Sequence, residues 1–369
     1  MSSNLLRIGV IGPPWIEIPP TAYGGTELAI DTLVRGLAAR GHDVTLFTVG
    51  TSSTPVRRKW IYDYPQYDDV GSMLVELRHT SAAYRALDGC DIIHDHTVCG
   101  PFMALCTGTN TPIVATNHGP FTPEVNEILQ ALTIPVIGLS HAHASQAATS
   151  IQPVPVIHHG LVTERYRFNR HRGDGLVALG RMNPGKGIES AIAFARQVDR
   201  PLTIAAKMRD ADEVDYYKSA IEPLLGSDVT YVGEVNHDHK VDLLANAFAL
   251  VNLINWPEPF GLVMIEALAC GTPVIATKGG VPDEIIEHRR TGYLMSDPQQ
   301  ANDAISTIET IDRENCWQSV QSRFSMNQVA AAHELFYNSI LKNDRIQPIM
   351  SRPPRRYPGG SSHGEWVLA

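Results

Sequence analysis

The chain has 369 residues, 43% of them hydrophobic and 19% charged. That is too long for one ordinary core and suits two soluble globular domains. A net charge of −9 argues against a general nucleic-acid binder, which needs a basic surface for phosphates.

Five cysteines, Cys90, Cys99, Cys106, Cys270 and Cys316, show no CxxC spacing and are expected to be reduced thiols. The N-terminus lacks a charged n-region and a full h-region, so no signal peptide is expected. No apolar run approaches the roughly 20 residues that span a bilayer. A cytoplasmic location is expected, without membrane association; oligomeric state is not legible.

The elements alternate along the chain. "LLRIGVIG" (5–12), closed by Gly-Pro-Pro, predicts a buried strand. "TELAIDTLVRGLAARG" (26–41) carries apolar residues at helical spacing and stops at Gly41. "DVTLFTVG" (43–50), "DIIHD" (91–95), "PIVATNH" (112–118), "PVIGLS" (135–140) and "VPVIHH" (154–159) predict further strands, most of them with helix-length gaps between. A second series follows with "GLVALG" (175–180), "PLTIAA" (201–206), "DVTYVG" (228–233), "FALVNL" (248–253) and "TPVIAT" (272–277). "GDG" (173–175), after the polar run "RYRFNRHR", predicts an inter-domain linker. "WQSVQSRFSMNQVAAAHELFYNSILK" (317–342) predicts a further helical stretch. The remainder, 343–369, is a Pro/Gly-rich tail with Arg352, Arg355 and Arg356 and no core of its own. The fold class is therefore α/β, with two Rossmann-like doubly wound domains, 1–165 and 174–322, facing across a cleft. Ligands of such sheets bind at the carboxyl ends of the strands.

The chemistry-bearing residues fall at those strand ends. Gly24 and Gly25 precede a helix and let backbone amides approach an anion. His118 ends the strand "PIVATNH". "HDHT" (94–97) ends another; its H-x-H pair has no evident third ligand and reads as polar strand-end residues rather than metal ligands. In "LGRMNPGKGIES", Arg181 and Lys186 stand beside a helix start, as a diphosphate site requires. In "NWPEPFGLVMIEALACGTPVI", Glu258 sits on a proline-restricted loop, Phe260, Gly261 and Leu262 lie at a helix start, and Glu266 follows inside the helix. Ionised carboxylates accept hydrogen bonds from hydroxyl pairs, so one can hold a sugar and the other a ribose.

"EPFGLVMIE", with "YGGTE", His118, "GRMNPGKG", "YVGEV" and "GTPVIATKGGVPDEIIEHRRTGYL" in that order, resembles the E-x7-E family of retaining glycosyltransferases, family 4 of the GT-B fold. The resemblance covers about residues 5–340 and is closest in motif to a UDP-binding antibiotic-pathway subgroup. It implies transfer of a hexosyl group from a nucleotide diphosphate sugar, UDP favoured and GDP possible, to an unidentified hydroxyl of a small molecule or glycan. Gly24 and Gly25 would face the donor, and His118 the transferred sugar. Arg181 and Lys186 would neutralise the diphosphate. Glu258, with the amides of Phe260, Gly261 and Leu262, would hold the sugar. Glu266 would hold the ribose, and Val232, Gly233 and Val235 the base. A terminal helix, 323–342, would cross back to the first domain. No metal or other cofactor is expected, since fixed cations do that work. "RDADEVD" (209–215) reads as surface capping at a helix start. Where many members carry Gly-x-Gly, this chain has "IAAKMRD", so that Lys207 would either replace backbone contact with a charge or point away. The alternatives are a nucleotide-sugar epimerase of the same fold and a non-catalytic nucleotide-sugar-binding protein. A glycoside hydrolase leaves the Arg/Lys loop without a role.

Overall fold

In both halves of the chain, short β-rich runs buried on both faces alternate with amphipathic segments, and this dictates parallel sheets covered by helices. The computed structural model describes residues 5–132, 134–151 and 154–343.

The first half runs β1 (Arg7–Ile11), α1 (Gly25–Ala39), β2 (Asp43–Phe47), β3 (Arg57–Lys59), α2 (Met73–Ala86), β4 (Ile92–Asp95), α3 (Gly100–Thr107), β5 (Ile113–Thr116), α4 (Pro123–Ala131), β6 (Val136–Ile137) and α5 (His141–Ala144). The second runs β7 (Leu176–Arg181), α6 (Ile188–Gln197), β8 (Leu202–Lys207), α7 (Ala211–Tyr216), β9 (Val229–Tyr231), α8 (His237–Asn246), β10 (Ala249–Asn252), α9 (Leu262–Ala269), β11 (Val274–Thr277), α10 (Val281–Ile285), β12 (Gly292–Met295), α11 (Ala301–Thr310), α12 (Arg313–Arg323) and α13 (Met326–Asn343).

The first sheet has the order β3-β2-β1-β4-β5-β6 and the second β12-β11-β10-β7-β8-β9. Counted from its own first strand, each has the order 3-2-1-4-5-6, and all described pairings are parallel. Strand order reverses between β1 and β4, and again between β7 and β10. A crevice opens at each reversal because successive crossover helices lie on opposite faces there.

Four local expectations change. The strand expected over 154–159 is reduced to one bridge, Gly138 to Val156. β3 and β12 were not foreseen: "RRK" is a polar edge strand, and "GYLM" is a four-residue run after a turn. The helix expected over 317–342 is two helices, broken at Phe324 and Ser325, where Leu161 pairs with Ser325. The run before "GDG" is no free linker. Phe168 packs on Trp317, Arg170 pairs with Glu314, and Arg172 reaches the carbonyls of Glu309 and Ile311. The chain is therefore anchored to the second half well before residue 173.

α13 lies in the core of the first half. Val329, Ala330 and Tyr337 pack with Ile30, Leu33, Val34 and Leu37 of α1. The tail expected over 343–369 lies, beyond Asn343, outside the described residues.

Candidate active site

A cavity of about 550 Å³ lies where the two crevices face each other. That is ample for a small-molecule ligand. Two helix N-termini meet in it. A Cβ on Gly25, at the start of α1, would stand 3.5 Å from Leu262, at the start of α9. Both helix ends direct first-turn amides and positive potential into one space. Gly261 caps α9 with φ of 81°, a backbone conformation that disfavours any side chain.

The loop after β7 is clamped to the loop after β10. Asn183 caps the turn by accepting from the Gly185 amide, and the Asn255 amide donates to the Gly185 carbonyl at 3.1 Å. Gly187 has φ of 68°, and a Cβ there would fall 1.9 Å from the Leu253 carbonyl oxygen. Only glycine permits this contact, which brings Lys186 beside Glu258.

The two glutamates of the motif have matching surroundings. Lys186 Nζ and Trp256 Nε1 each donate to Glu258 Oε2 at 2.6 Å. Lys240 Nζ, at 2.5 Å, and the Tyr166 hydroxyl, at 2.8 Å, donate to Glu266 Oε1. In each case a lysine and an aromatic donor hold one oxygen. The second oxygen makes no hydrogen bond among the described residues, and both glutamates line the cavity. A carboxylate fixed in this way offers a directed acceptor to a hydroxyl pair. Tyr166, Lys240 and Trp256 were not singled out from the sequence. Trp256 stood two residues before Glu258, but Tyr166 and Lys240 arrive from distant elements and carry no local signal.

Arg181, at the end of β7, is held by Glu213 (2.7 Å) and Asp210 (3.0 Å). Lys207 faces the same pair at 3.6 and 3.4 Å. Asp210 and Glu213 do form a capping box on α7. The expectation of a surface cap still needs correction, because Glu213 is buried and positions the Arg181 guanidinium. Lys207 lines the cavity rather than pointing away.

His118 also lines the cavity. Its Nε2 lies 2.9 Å from His96 Nδ1, and its ring stacks on His159 at 5.3 Å. Burial pushes its imidazole down to about 3, so it is neutral at pH 7. His94 and His96 are buried and do not line the cavity. His94 bonds to the Tyr337 hydroxyl and Thr116 Oγ1, both at 2.7 Å. Among the described residues, no group of three His, Cys, Asp or Glu is placed to hold a metal.

Of the expected base-binding segment, Val235 and its neighbour Glu234 line the cavity. Val232 is exposed, and the Gly233 carbonyl accepts from the Ala206 amide; neither lines the cavity. Gly24, Gly25, Phe260, Gly261 and Leu262 all do.

The halves touch around the rim. The Tyr23 amide donates to Glu234, Ser140 Oγ donates to the Pro259 carbonyl, and Glu284 accepts from the His141 and Ala142 amides.

Comparison with known proteins covers both halves. The model for Glycosyltransferase Family 4 matches residues 23–165, and that for Glycosyl transferases group 1 matches 169–323. N-acetyl-alpha-D-glucosaminyl L-malate synthase of Bacillus anthracis is 24% identical over 92% of this chain and 98% of its own. A solved glycosyltransferase involved in avilamycin A biosynthesis is 23% identical, with a TM-score of 0.71 over 91% of this chain and 98% of its own. HepE of Anabaena, solved in complex with UDP and glucose, is 18% identical with a TM-score of 0.71, over 90% of this chain and all of its own. These structures share the two-domain fold.

Proposed function

The chain belongs to the family-4, group 1 glycosyltransferases of the GT-B fold, and from that premise we propose that it moves a hexosyl group from a UDP-sugar to a hydroxyl acceptor with retention at the anomeric carbon. The observation that carries this reading is the convergence of Lys186, Arg181 and two helix N-termini on a cavity also lined by two half-engaged glutamates. HepE, bound to UDP and glucose, supports the choice of donor.

In this reading the diphosphate lies against Lys186, Arg181 and the amides at the start of α9. The free oxygen of Glu258 holds the sugar and that of Glu266 the ribose. As the glycosidic bond breaks, negative charge grows on the leaving diphosphate, and these fixed donors stabilise it without reorganising. The leaving phosphate oxygen takes the proton of the acceptor hydroxyl, which attacks from the same face. His118, being neutral, donates or accepts at the sugar without adding charge. Closure of the halves excludes water and limits hydrolysis. Lysine and arginine supply the positive charge at the diphosphate, so turnover needs no divalent cation.

The test is nucleotide release from a panel of UDP- and GDP-sugars, with and without EDTA, and the anomeric configuration of the product read by NMR. UDP release that survives EDTA and gives the retained anomer is expected. An inverted product removes the mechanism. Epimerised donor without transfer favours the epimerase.

A further inference from the structure

The cavity is electrostatically lopsided. Every lysine and arginine among its lining residues, namely Arg181, Lys186, Lys207 and Lys240, comes from the second half of the chain. The described lining residues of the first half include neither; their ionisable members are Tyr23, Glu27, His118 and His159. Burial drives both of these imidazoles far below the ordinary histidine range, so they add no positive charge at neutral pH.

Glu27 is the unusual member of that wall. It sits in the first turn of α1 and is 4% exposed. Among the described residues, it has no cation at ion-pair distance and no hydrogen bond from another residue. Space has been left for it: a Cβ on Gly24 would stand 3.0 Å from Glu27 Oε2 and 2.7 Å from Pro20. Nearby Glu17, next to the lining Ile16, is already engaged by Thr21 and Tyr67, and its like charge bears on Glu27. Its carboxyl is engaged by its own backbone amide alone, and a buried carboxyl without a cation costs stability. It lines the cavity, where a ligand hydroxyl could reach it.

Building on the transferase reading, we infer that the part of this wall around Glu27 is an acceptor subsite for uncharged, hydroxyl-bearing molecules, with Glu27 accepting a hydrogen bond from an acceptor hydroxyl, and that it refuses carboxylate- and phosphate-bearing acceptors. An ionised carboxylate can only accept, and a hydroxyl donates to it. An anionic acceptor offers lone pairs and like charge in a water-poor cleft, which is repulsive. Burial raises the Glu27 carboxyl to about 7. At about pH 8 it is roughly nine-tenths ionised, and the test is set there.

With a panel of UDP-sugars including UDP-glucose as donors, methyl glucoside, myo-inositol and glycerol are compared with L-malate, glucose 6-phosphate and 3-phosphoglycerate as acceptors, reading UDP release above the rate with water. Neutral members are expected to raise release about ten-fold or more, and anionic ones not at all. Glu27→Gln should raise KM for the neutral acceptor by about ten-fold, the loss of a charged hydrogen bond, while the thermal shift given by UDP stays as in wild type. Glu27→Lys should move preference toward the anions. Wild-type transfer to an anion as fast as to any neutral member overturns the inference, as does an unchanged KM in Glu27→Gln. No UDP release under any condition, with no thermal shift by UDP, would instead bring down the UDP-sugar reading on which the inference rests.

Discussion

Lys186 reaches the cavity already paired. Its ammonium bonds to Glu258 and lies 4.9 Å from the centre of the Trp256 ring, so a flexible side chain is held where a phosphate would meet it. Arg181 is held likewise by Glu213 and Asp210. Pre-positioned donors act on the transition state without reorganising, and loss of one costs roughly 10²–10³ in rate. Lys186→Ala and Arg181→Ala should each cut kcat by about that factor with the fold retained by circular dichroism. Full turnover in both variants would remove them from the diphosphate. Tyr166 and Lys240 hold Glu266 in place. Tyr166→Phe should raise KM for the donor by about ten-fold, within the range of one charged hydrogen bond, and spare kcat. A fall in kcat with constant KM would place Tyr166 elsewhere in the mechanism.

At the scale of elements, the cleft depends on α1 being held from behind by α13. The two approach so closely that a Cβ on Gly36 would lie 2.7 Å from Ala330 Cβ and 2.8 Å from the Met326 carbonyl oxygen. Gly36→Val should therefore destabilise by about 1–3 kcal/mol through overpacking, read as a lower urea midpoint. Because α1 carries Gly25 and Glu27 at its other end, KM values should rise as well. An unchanged midpoint would show that α13 yields freely. The opposed starts of α1 and α9 are likewise a matter of elements: neither helix makes an anion site alone, and the sheets bring the two ends together.

At the scale of the whole molecule, a file of buried imidazoles runs from the cavity to the terminal helix. His118, His96 and His94 follow one another, and His94 lies 5.4 Å from His333 of α13. Burial drives His333 and the separate, equally buried His79 down from 6.5 to about 4, and His94 and His96 well below the usual range. The folded protein thus keeps them neutral where the unfolded chain would protonate them. Stability is fully present above the unfolded value of 6.5 and is lost as pH falls from there toward about 4. Each such group contributes a slope of up to about 1.4 kcal/mol per pH unit. Melting temperature should fall steadily between about pH 6.5 and pH 5, in the window these shifted values set. A flat profile would mean that the imidazoles remain solvated.

The sequence by itself determined the architecture. Continuous apolar runs, helical spacing and glycine stops are local signals, and they gave two parallel sheets and the strand-end loops and helix starts around which Gly25, His118, Arg181, Lys186, Glu258 and Glu266 lie. Edge strands such as β3 escaped because an exposed edge has no apolar pattern to read. What only the tertiary structure decided is which groups confront one another. Tyr166 and Lys240 on Glu266, Glu213 on Arg181, and Glu27 across the cavity from four cations all join residues far apart in the chain. Such pairings are set by how the helices pack on their sheets and how the two sheets face each other. Local propensity says nothing about them, because each residue would form the same turn or helix whether or not its partner were there.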